Sequence, residues 1–293
     1  MDPSWFPSVP LALAAAMLFG VSVVVARMGL AHTHPRSGAW LSIVATTVFF
    51  LGILPFYPRE LGAGEEFLPT FIGLFILLGL FTPGLSLFLA FEGHHRLGPT
   101  ISGTLASTSP LFAAGAAVAV LGEQVSLDLA TGTLAVVAGV MTLSWQGRAV
   151  RDWRWWALMF PLGAAFLRGI VSMGTRYGMG LAPAPFAAAL IASSTALVML
   201  PLLSRVTSLS LPMGGVRRGL KWFLLAGVLN GLATVSFYTA LLHGQVVTVS
   251  PITASFPVFT FIASMTLGLD RLSLRIAVGV TLVVGGVIAI SLA

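Results

Sequence analysis

The stretch that decides the fold spans residues 94–144 and reads HHRLGPTISGTLASTSPLFAAGAAVAVLGEQVSLDLATGTLAVVAGVMTLS. It consists of two apolar segments joined by a short acidic stretch at residues 122–124. The first segment carries Pro110 behind a half that is rich in serine and threonine. The second carries Gly132 and Gly139, whose separation of seven residues puts both on one face of a helix.

This pattern returns near the C-terminus at a constant offset of 147 residues. Between residues 110–144 and 257–291, 12 of 35 residues are identical. The matches that apolar composition does not explain pair Pro110 with Pro257, Glu123 with Asp270, Ser126-Leu127 with Ser273-Leu274, Gly132 with Gly279, and Gly139 with Gly286. The chain is therefore predicted to be an internal duplication.

Composition shows where this duplication resides. The chain is 57% hydrophobic and 8% charged, with a mean hydropathy of +0.99, and a soluble protein of this size could not bury that much apolar surface. The net charge of +6 resides mainly on arginines in short loops, where it sets membrane topology, so no nucleic-acid partner is expected. The absence of cysteine excludes disulfides and thiolate metal sites. Nucleotide-binding fingerprints are also absent, and no cofactor is expected.

Ten apolar segments are each long enough to cross a bilayer. The predicted spans cover residues 8–31, 38–57, 67–92, 98–121, 127–146, 155–178, 184–203, 222–243, 246–268 and 273–292. Five spans fall in each repeat, residues 1–147 and 148–293. Because five is odd, the second repeat enters the membrane from the opposite face. The predicted fold is an all-α integral membrane protein with two inverted five-helix repeats around a central cavity.

This arrangement resembles the drug/metabolite transporter superfamily, specifically its EamA type. The resemblance rests on ten spans in two halves, and on a proline and a Gly-Glu pair at the end of span 4 that recur in span 9. Span 9 departs from the pattern, because Leu269-Asp270 replaces Gly-Glu. Membership would imply a transporter with a cavity lined mainly by spans 1, 3, 4, 6, 8 and 9.

Polar residues within the spans are the candidates for substrate binding, because they are costly in lipid and usually face the bundle interior. The candidates are Arg168 and Ser172 in span 6, Asn230, Thr234 and Tyr238 in span 8, and Thr104, Ser107 and Thr108 in span 4. Structural alternatives stay open. Serine and threonine also bond to their own helix backbone, Asn230 could join two helices, and Pro110 and Pro257 are interpreted as helix kinks.

Arg168 gives the sharpest hypothesis. It lies near the middle of span 6, where an arginine costs roughly 2.5–3.5 kcal/mol unless a partner or water offsets the cost. One alternative is a structural pair with Glu92. Without such a pair, the guanidinium is free to bind an anionic group of the substrate.

A charged cluster at the end of span 3 contains Glu92, His94 and His95 beside Arg96. It could form a gate or a proton-coupling site, because histidine titrates near neutral pH. A plain helix-end cluster and a metal site are the alternatives, although the zinc-hydrolase spacing is absent. The same residues would serve an intramembrane lipid-modifying enzyme.

The predicted function is secondary transport, as an exporter, of a small polar or amphipathic metabolite that bears an anionic group. Its expected partners are that substrate, the bilayer and a coupled proton. A flippase for a lipid or lipid-linked sugar is an alternative, and so is the intramembrane enzyme. Loops after odd-numbered spans hold 12 arginines and lysines against 2 after even-numbered spans. The positive-inside rule then places both termini outside a bacterial inner membrane.

Overall fold

A computed structural model describes residues 7–33, 35–56, 68–144, 155–206, 216–269 and 273–293, and these are helical apart from short turns. The helices of the first repeat are α1 (Ser8–Leu30), α2 (Pro35–Ile53), α3 (Leu68–Gly79), α4 (Ser86–Ala106), α5 (Ser109–Ala116) and α6 (Leu127–Ser144). Those of the second are α7 (Met159–Leu181), α8 (Pro185–Val206), α9 (Val216–His243), α10 (Val246–Thr253), α11 (Phe256–Thr266) and α12 (Leu274–Leu292). The predicted repeat boundary at residues 147/148 lies outside the described residues.

These helices supply ten membrane crossings. Seven apolar helices of the described residues are long enough to span a bilayer, and the three shorter ones are 40–56, 69–82 and 185–199. Three crossings contain more than one helix, and one of them is span 4, which combines the last part of α4 with α5. Span 3 combines α3 with the first part of α4, and span 9 combines α10 with α11. The all-α prediction is confirmed.

The junction of spans 3 and 4 differs from the prediction. The sequence predicts a loop between residues 92 and 98, whereas α4 is helical through this region. The chain still reverses direction here, because a Cβ on Gly93 would come within 2.8 Å of Ser102 Oγ. Nine residues of straight helix would instead separate these positions by about 13 Å. The two spans therefore join in a tight hairpin.

Spans 4 and 9 both break in mid-membrane, at positions that the offset of 147 relates. The break in span 4 lies at residues 107–108, and the break in span 9 lies at 254–255. Pro110 and Pro257 each lie in the first turn of the helix that follows. Proline is tolerated there, because the first backbone N–H groups of a helix have no partner within it.

Contacts between α6 and α12 show how the repeats are related. A Cβ on Gly132 would come within 2.9 Å of the Gly286 carbonyl oxygen, and a Cβ on Gly139 would come within 2.7 Å of the Gly279 carbonyl oxygen. Residue numbers therefore rise along α6 as they fall along α12, so the two helices are antiparallel. Because each is the fifth span of its repeat, the second repeat is inverted.

A second glycine pair repeats the same relation at the front of each half. A Cβ on Gly20 would lie 2.7 Å from Phe259 Cβ, and a Cβ on Gly169 would lie 2.7 Å from Phe112 Cβ. Phe112 and Phe259 are partners under the offset of 147. The first span of each repeat thus packs against the broken fourth span of the other repeat.

The end of span 9 explains its departure from the Gly-Glu pattern. Gly122, at the end of span 4, and Gly268, at the end of span 9, have φ angles of 68° and 67°, a left-handed conformation that favours glycine. The two positions are 146 residues apart, one fewer than the offset. The left-handed glycine therefore lies one position earlier in the second repeat, and Gly268 performs the role of Gly122.

Candidate functional site

A cavity of about 440 Å³ lies at the level where the helices break. Thr82 lines it from the kinked segment between α3 and α4, where its φ of −139° and ψ of 125° interrupt the helix. Ser109 lines it beside the break in span 4, and Ala254 lines it at the break in span 9. Backbone irregularity in a membrane protein is tolerated where it borders such a cavity.

Five of the eight predicted substrate-binding residues line this cavity: Arg168, Ser172, Asn230, Thr234 and Tyr238. They come from α7 and α9, so one face of each helix brings them together. The other three predicted residues, Thr104, Ser107 and Thr108, do not line it. Span 4 contributes Ser109 instead.

The hydroxyls of Ser107 and Thr108 serve the helix break. Ser107 Oγ donates to the carbonyl oxygen of Thr104 at 2.6 Å, and Thr108 Oγ1 donates to that of Leu105 at 2.7 Å. Both bonds satisfy backbone carbonyls where the helix is interrupted. The polar half of span 4 therefore reflects the chemistry of the break.

Two lining hydroxyls of the predicted set also bond to their own helix. Ser172 Oγ donates to the carbonyl oxygen of Arg168 at 3.1 Å, and Thr234 Oγ1 donates to that of Asn230 at 2.8 Å. Their oxygen lone pairs stay available, but their protons are engaged. Donors for a bound molecule must come from other side chains.

Arg168 and Asn230 supply such donors. Arg168 Nε donates to the carbonyl oxygen of Ala164 at 3.3 Å, which leaves its terminal nitrogens without a protein acceptor among the described residues. The side-chain amide of Asn230 makes no hydrogen bond within the same part of the chain. The Thr253 hydroxyl also lines the cavity, buried and without a partner there.

No carboxylate neutralises this cationic site within the described residues. Glu92, the acid considered as a partner of Arg168, instead accepts from Arg96 Nε at 2.6 Å. The other two acids of the described ranges, Glu123 and Asp128, do not line the cavity. Arg168 is nine residues from the start of α7 and thirteen from its end, about 14 and 20 Å at 1.5 Å per residue. Its side chain cannot reach either interface from there.

The rest of the lining is mainly apolar and aromatic. Phe19, Phe50, Phe237 and Phe256 contribute rings to the wall beside Tyr238. The Tyr238 side chain is buried, and its ring lies 5.9 Å from that of Phe75. An apolar wall with a few free polar groups is the usual composition of a small-molecule site.

Spans 2 and 7 also line the cavity, which the resemblance did not imply. Span 2 contributes Thr46, and span 7 contributes Ser193. A single hydroxyl in an apolar helix is a weak indication of substrate binding, so the sequence did not predict these two residues. The repeat could have predicted that Phe19 lines the cavity. An offset of 149 aligns Gly20 with Gly169, and it therefore puts Phe19 at the position of Arg168.

Comparison with known proteins identifies the family. A sequence model described as the EamA-like transporter family matches residues 6–145 and again 154–292. The chain belongs to the EamA-like transporter family. A solved structure titled only as a protein crystal structure is similar to it, with a TM-score of 0.80 at 17% identity over 97% of this chain and 96% of that one. That likeness shows the fold alone. The curated proteins compared give no match.

The chain is thus a membrane transporter of the drug/metabolite transporter superfamily. Glu92 of the predicted gate cluster does not line the central cavity, and it forms an ion pair with Arg96 along α4. The Arg96 guanidinium also lies 4.6 Å from the ring centroid of Trp156, a stacking contact that holds this helix end. The side chains of His94 and His95 lie outside the described residues.

The opposite end of this EamA-like bundle is tied across the repeats. Glu123 Oε1 accepts from the Val246 backbone N–H, and its Oε2 accepts from that of Val247, each at 3.0 Å. Arg176 Nη1 donates to the Leu242 carbonyl oxygen at 3.1 Å. Both side chains thus hold the turn between α9 and α10, and Glu123 has a structural role at a helix N-terminus.

Proposed function

We propose that this EamA-like protein is a secondary transporter that exports a small polar or amphipathic metabolite bearing a carboxylate or phosphate group. The observation that carries this proposal is the guanidinium of Arg168, which lines the central cavity without a protein acid among the described residues. An anionic substrate would offset the cost of that charge, and its oxyanion matches the forked donors of arginine.

The cavity suits a substrate with both polar and apolar parts. Asn230 and Thr253 offer hydrogen bonds near Arg168, while the phenylalanine rings can pack against a hydrocarbon portion. A volume of about 440 Å³ corresponds to a molecule of metabolite size.

Alternating access is the mechanism that an inverted repeat favours. Two halves related by an in-plane axis can exchange their conformations and so open the same midplane site to either face. The bonds of Glu123 and Arg176 close one end of the bundle. Exchange would require those bonds to break while the other end closes. A coupled proton remains part of the proposed mechanism.

Orientation completes the proposal. Both termini lie outside the inner membrane, because the arginine-rich loops follow the odd-numbered spans. Those loops would concentrate anionic metabolites on the cytoplasmic side, which favours export. A C-terminal alkaline phosphatase fusion is expected to be active, and a fluorescent protein fusion is expected to be dark. The reverse result would contradict this orientation.

The function is tested first by ligand-dependent unfolding. Purified protein is heated with carboxylate and phosphate metabolites, each paired with its neutral methyl ester. A ligand that binds only the folded state raises the unfolding temperature. We expect the anionic members to raise it and the esters to have no effect.

Arg168 variants then separate binding from folding. Arg168→Ala is expected to lower transport of the identified anion in proteoliposomes by roughly 100-fold, because the partner of a buried charge is lost. Arg168→Lys keeps the charge without the fork and should retain partial activity. Without ligand, Arg168→Ala should unfold at or above the wild-type temperature, because it removes an unpaired intramembrane charge. Undiminished transport by Arg168→Ala would contradict the proposal.

A further inference from the structure

A second cavity, of about 700 Å³, lies at the end of the bundle where α1 ends and α12 begins. Two guanidinium groups line it, those of Arg27 and Arg275. Three hydroxyl side chains, those of Thr260, Ser264 and Ser273, line it as well. None of its described lining residues is acidic.

Arg275 is the residue whose surroundings indicate a bound ligand. Its Nε is buried and has no hydrogen-bond partner among the described residues. A buried donor without an acceptor is unfavourable. An oxyanion in the cavity would relieve this cost.

The duplicated half of the chain shows that the fold does not require this pair. At the offset of 147, Asp128 replaces Arg275 and Ala117 replaces Ser264. Arg176 corresponds to Arg27 at the offset of 149. Two cations around one cavity are therefore specific to this end of the molecule.

We propose that Arg27 and Arg275 bind an oxyanion in this second cavity, separate from the transport site at Arg168. Phosphate and carboxylate groups fit forked guanidinium donors, and the hydroxyls of the lining can add hydrogen bonds. Basic pockets between helices at the membrane surface are known sites for anionic lipid headgroups. The proposal does not depend on the identity of the transported molecule.

Two sources of the oxyanion are compatible with this geometry. Leu274, beside Arg275, is an apolar side chain that is 83% exposed, so a phospholipid headgroup can reach the cavity from the outer surface of the bundle. Val23 lines both this cavity and the central one, so a soluble anion can reach it as well. The two arms of the experiment distinguish these sources.

The experiment measures the unfolding temperature of delipidated full-length protein. One arm adds sodium phosphate against sodium chloride at matched ionic strength. The other compares nanodiscs of phosphatidylglycerol with nanodiscs of phosphatidylcholine. At an anion concentration of about ten times Kd, the expected rise for wild type is about 3–6 °C. Arg275→Gln should lose this rise in whichever arm shows it, and Arg275→Lys should keep part of it.

Arg217→Gln is the matched control, because Arg217 is an exposed arginine at the same end of the bundle. It should respond as wild type does, and all variants are checked for folding by size-exclusion chromatography. Loss of the rise only in phosphate assigns a soluble anion, and loss only in phosphatidylglycerol assigns a lipid headgroup. The proposal is overturned if wild type shows no rise in either arm, or if Arg275→Gln responds as wild type does.

Discussion

At the scale of single residues, the molecule keeps one arginine where a membrane helix tolerates it least. Arg168 has a backbone contact at Nε and no acid beside it within the described residues. An unpaired charge within a membrane helix reduces stability, so its presence indicates a functional role. The sequence predicted its depth in the span, because helix geometry follows from residue count. It could not show that Glu92 pairs with Arg96, because that i,i+4 pair needs the helical turn that α4 forms where the sequence predicted a loop.

Asn230 tests whether the cavity selects for negative charge. We expect Asn230→Asp to place a carboxylate in the same cavity as Arg168, where it competes with the substrate's anionic group. Transport should fall at least roughly tenfold below that of Asn230→Ala, because like charges repel at close range. The measurement is the initial rate of uptake into proteoliposomes for the identified anion.

Thr234→Val is the control for this comparison, because Thr234 donates its proton to the Asn230 carbonyl oxygen. Its rate should stay within a few-fold of wild type. Equal rates for Asn230→Asp and Asn230→Ala would show that charge in this cavity does not govern selection.

At the scale of helices, small residues and caps determine how the elements meet. Ser126 Oγ accepts from the Leu129 N–H at 3.1 Å, and Ser273 Oγ accepts from the Ile276 N–H at 3.4 Å. The repeated Ser-Leu pair is therefore the N-terminal cap of the fifth span in each repeat. The sequence showed that the Ser-Leu pair recurs, and the hydrogen bonds show that it recurs because each serine caps a helix.

The contact between α6 and α12 gives a stability prediction. Gly139→Ala should lower the free energy of unfolding by about 1–3 kcal/mol, because overpacked cores are strained. The new Cβ would lie 2.6 Å from Val283 Cγ2 and 2.7 Å from the Gly279 carbonyl oxygen. Detergent-titration unfolding monitored by circular dichroism measures this change.

Gly115→Ala is the matched control in a neighbouring helix. Nothing lies within 4 Å of its added Cβ, so the substitution should be neutral or stabilising by up to about 1 kcal/mol through helix propensity. If both variants lose the same stability, close packing at Gly139 does not hold the repeats together.

The helix boundaries were predictable where apolar segments ended in charged or turn-forming residues. Span 10, predicted at 273–292, is observed as Leu274–Leu292. The reversal between spans 3 and 4 was predicted at residues 92–98, but its helical backbone was not, because the sequence predicted a loop there. The breaks at residues 107–108 and 254–255 precede the two prolines that suggested kinks. Local sequence thus indicated an irregularity but not its form.

At the scale of the whole molecule, the scaffold is duplicated and the site is not. Arg168 and Asn230 belong to the second repeat, and their counterparts in the first are Phe19 and Pro83. The repeat therefore predicted the inverted architecture, because close-packed glycines recur in register. It could not predict the site, whose guanidinium and side-chain amide both come from one copy, nor the contributions of spans 2 and 7.

The central claim is that one midplane cavity opens alternately to both faces of the membrane, and the absence of cysteine makes it directly testable. Ser109→Cys places a thiol on the cavity wall. Val198→Cys places a control thiol on a lipid-facing position of α8, where the side chain is 69% exposed. Both variants are labelled with a membrane-impermeant maleimide in right-side-out and in inverted vesicles. The account predicts that Ser109→Cys is labelled in both orientations, that the transported anion slows both reactions, and that Val198→Cys stays unlabelled. Labelling of Ser109→Cys from one face only, with or without the anion, would contradict it.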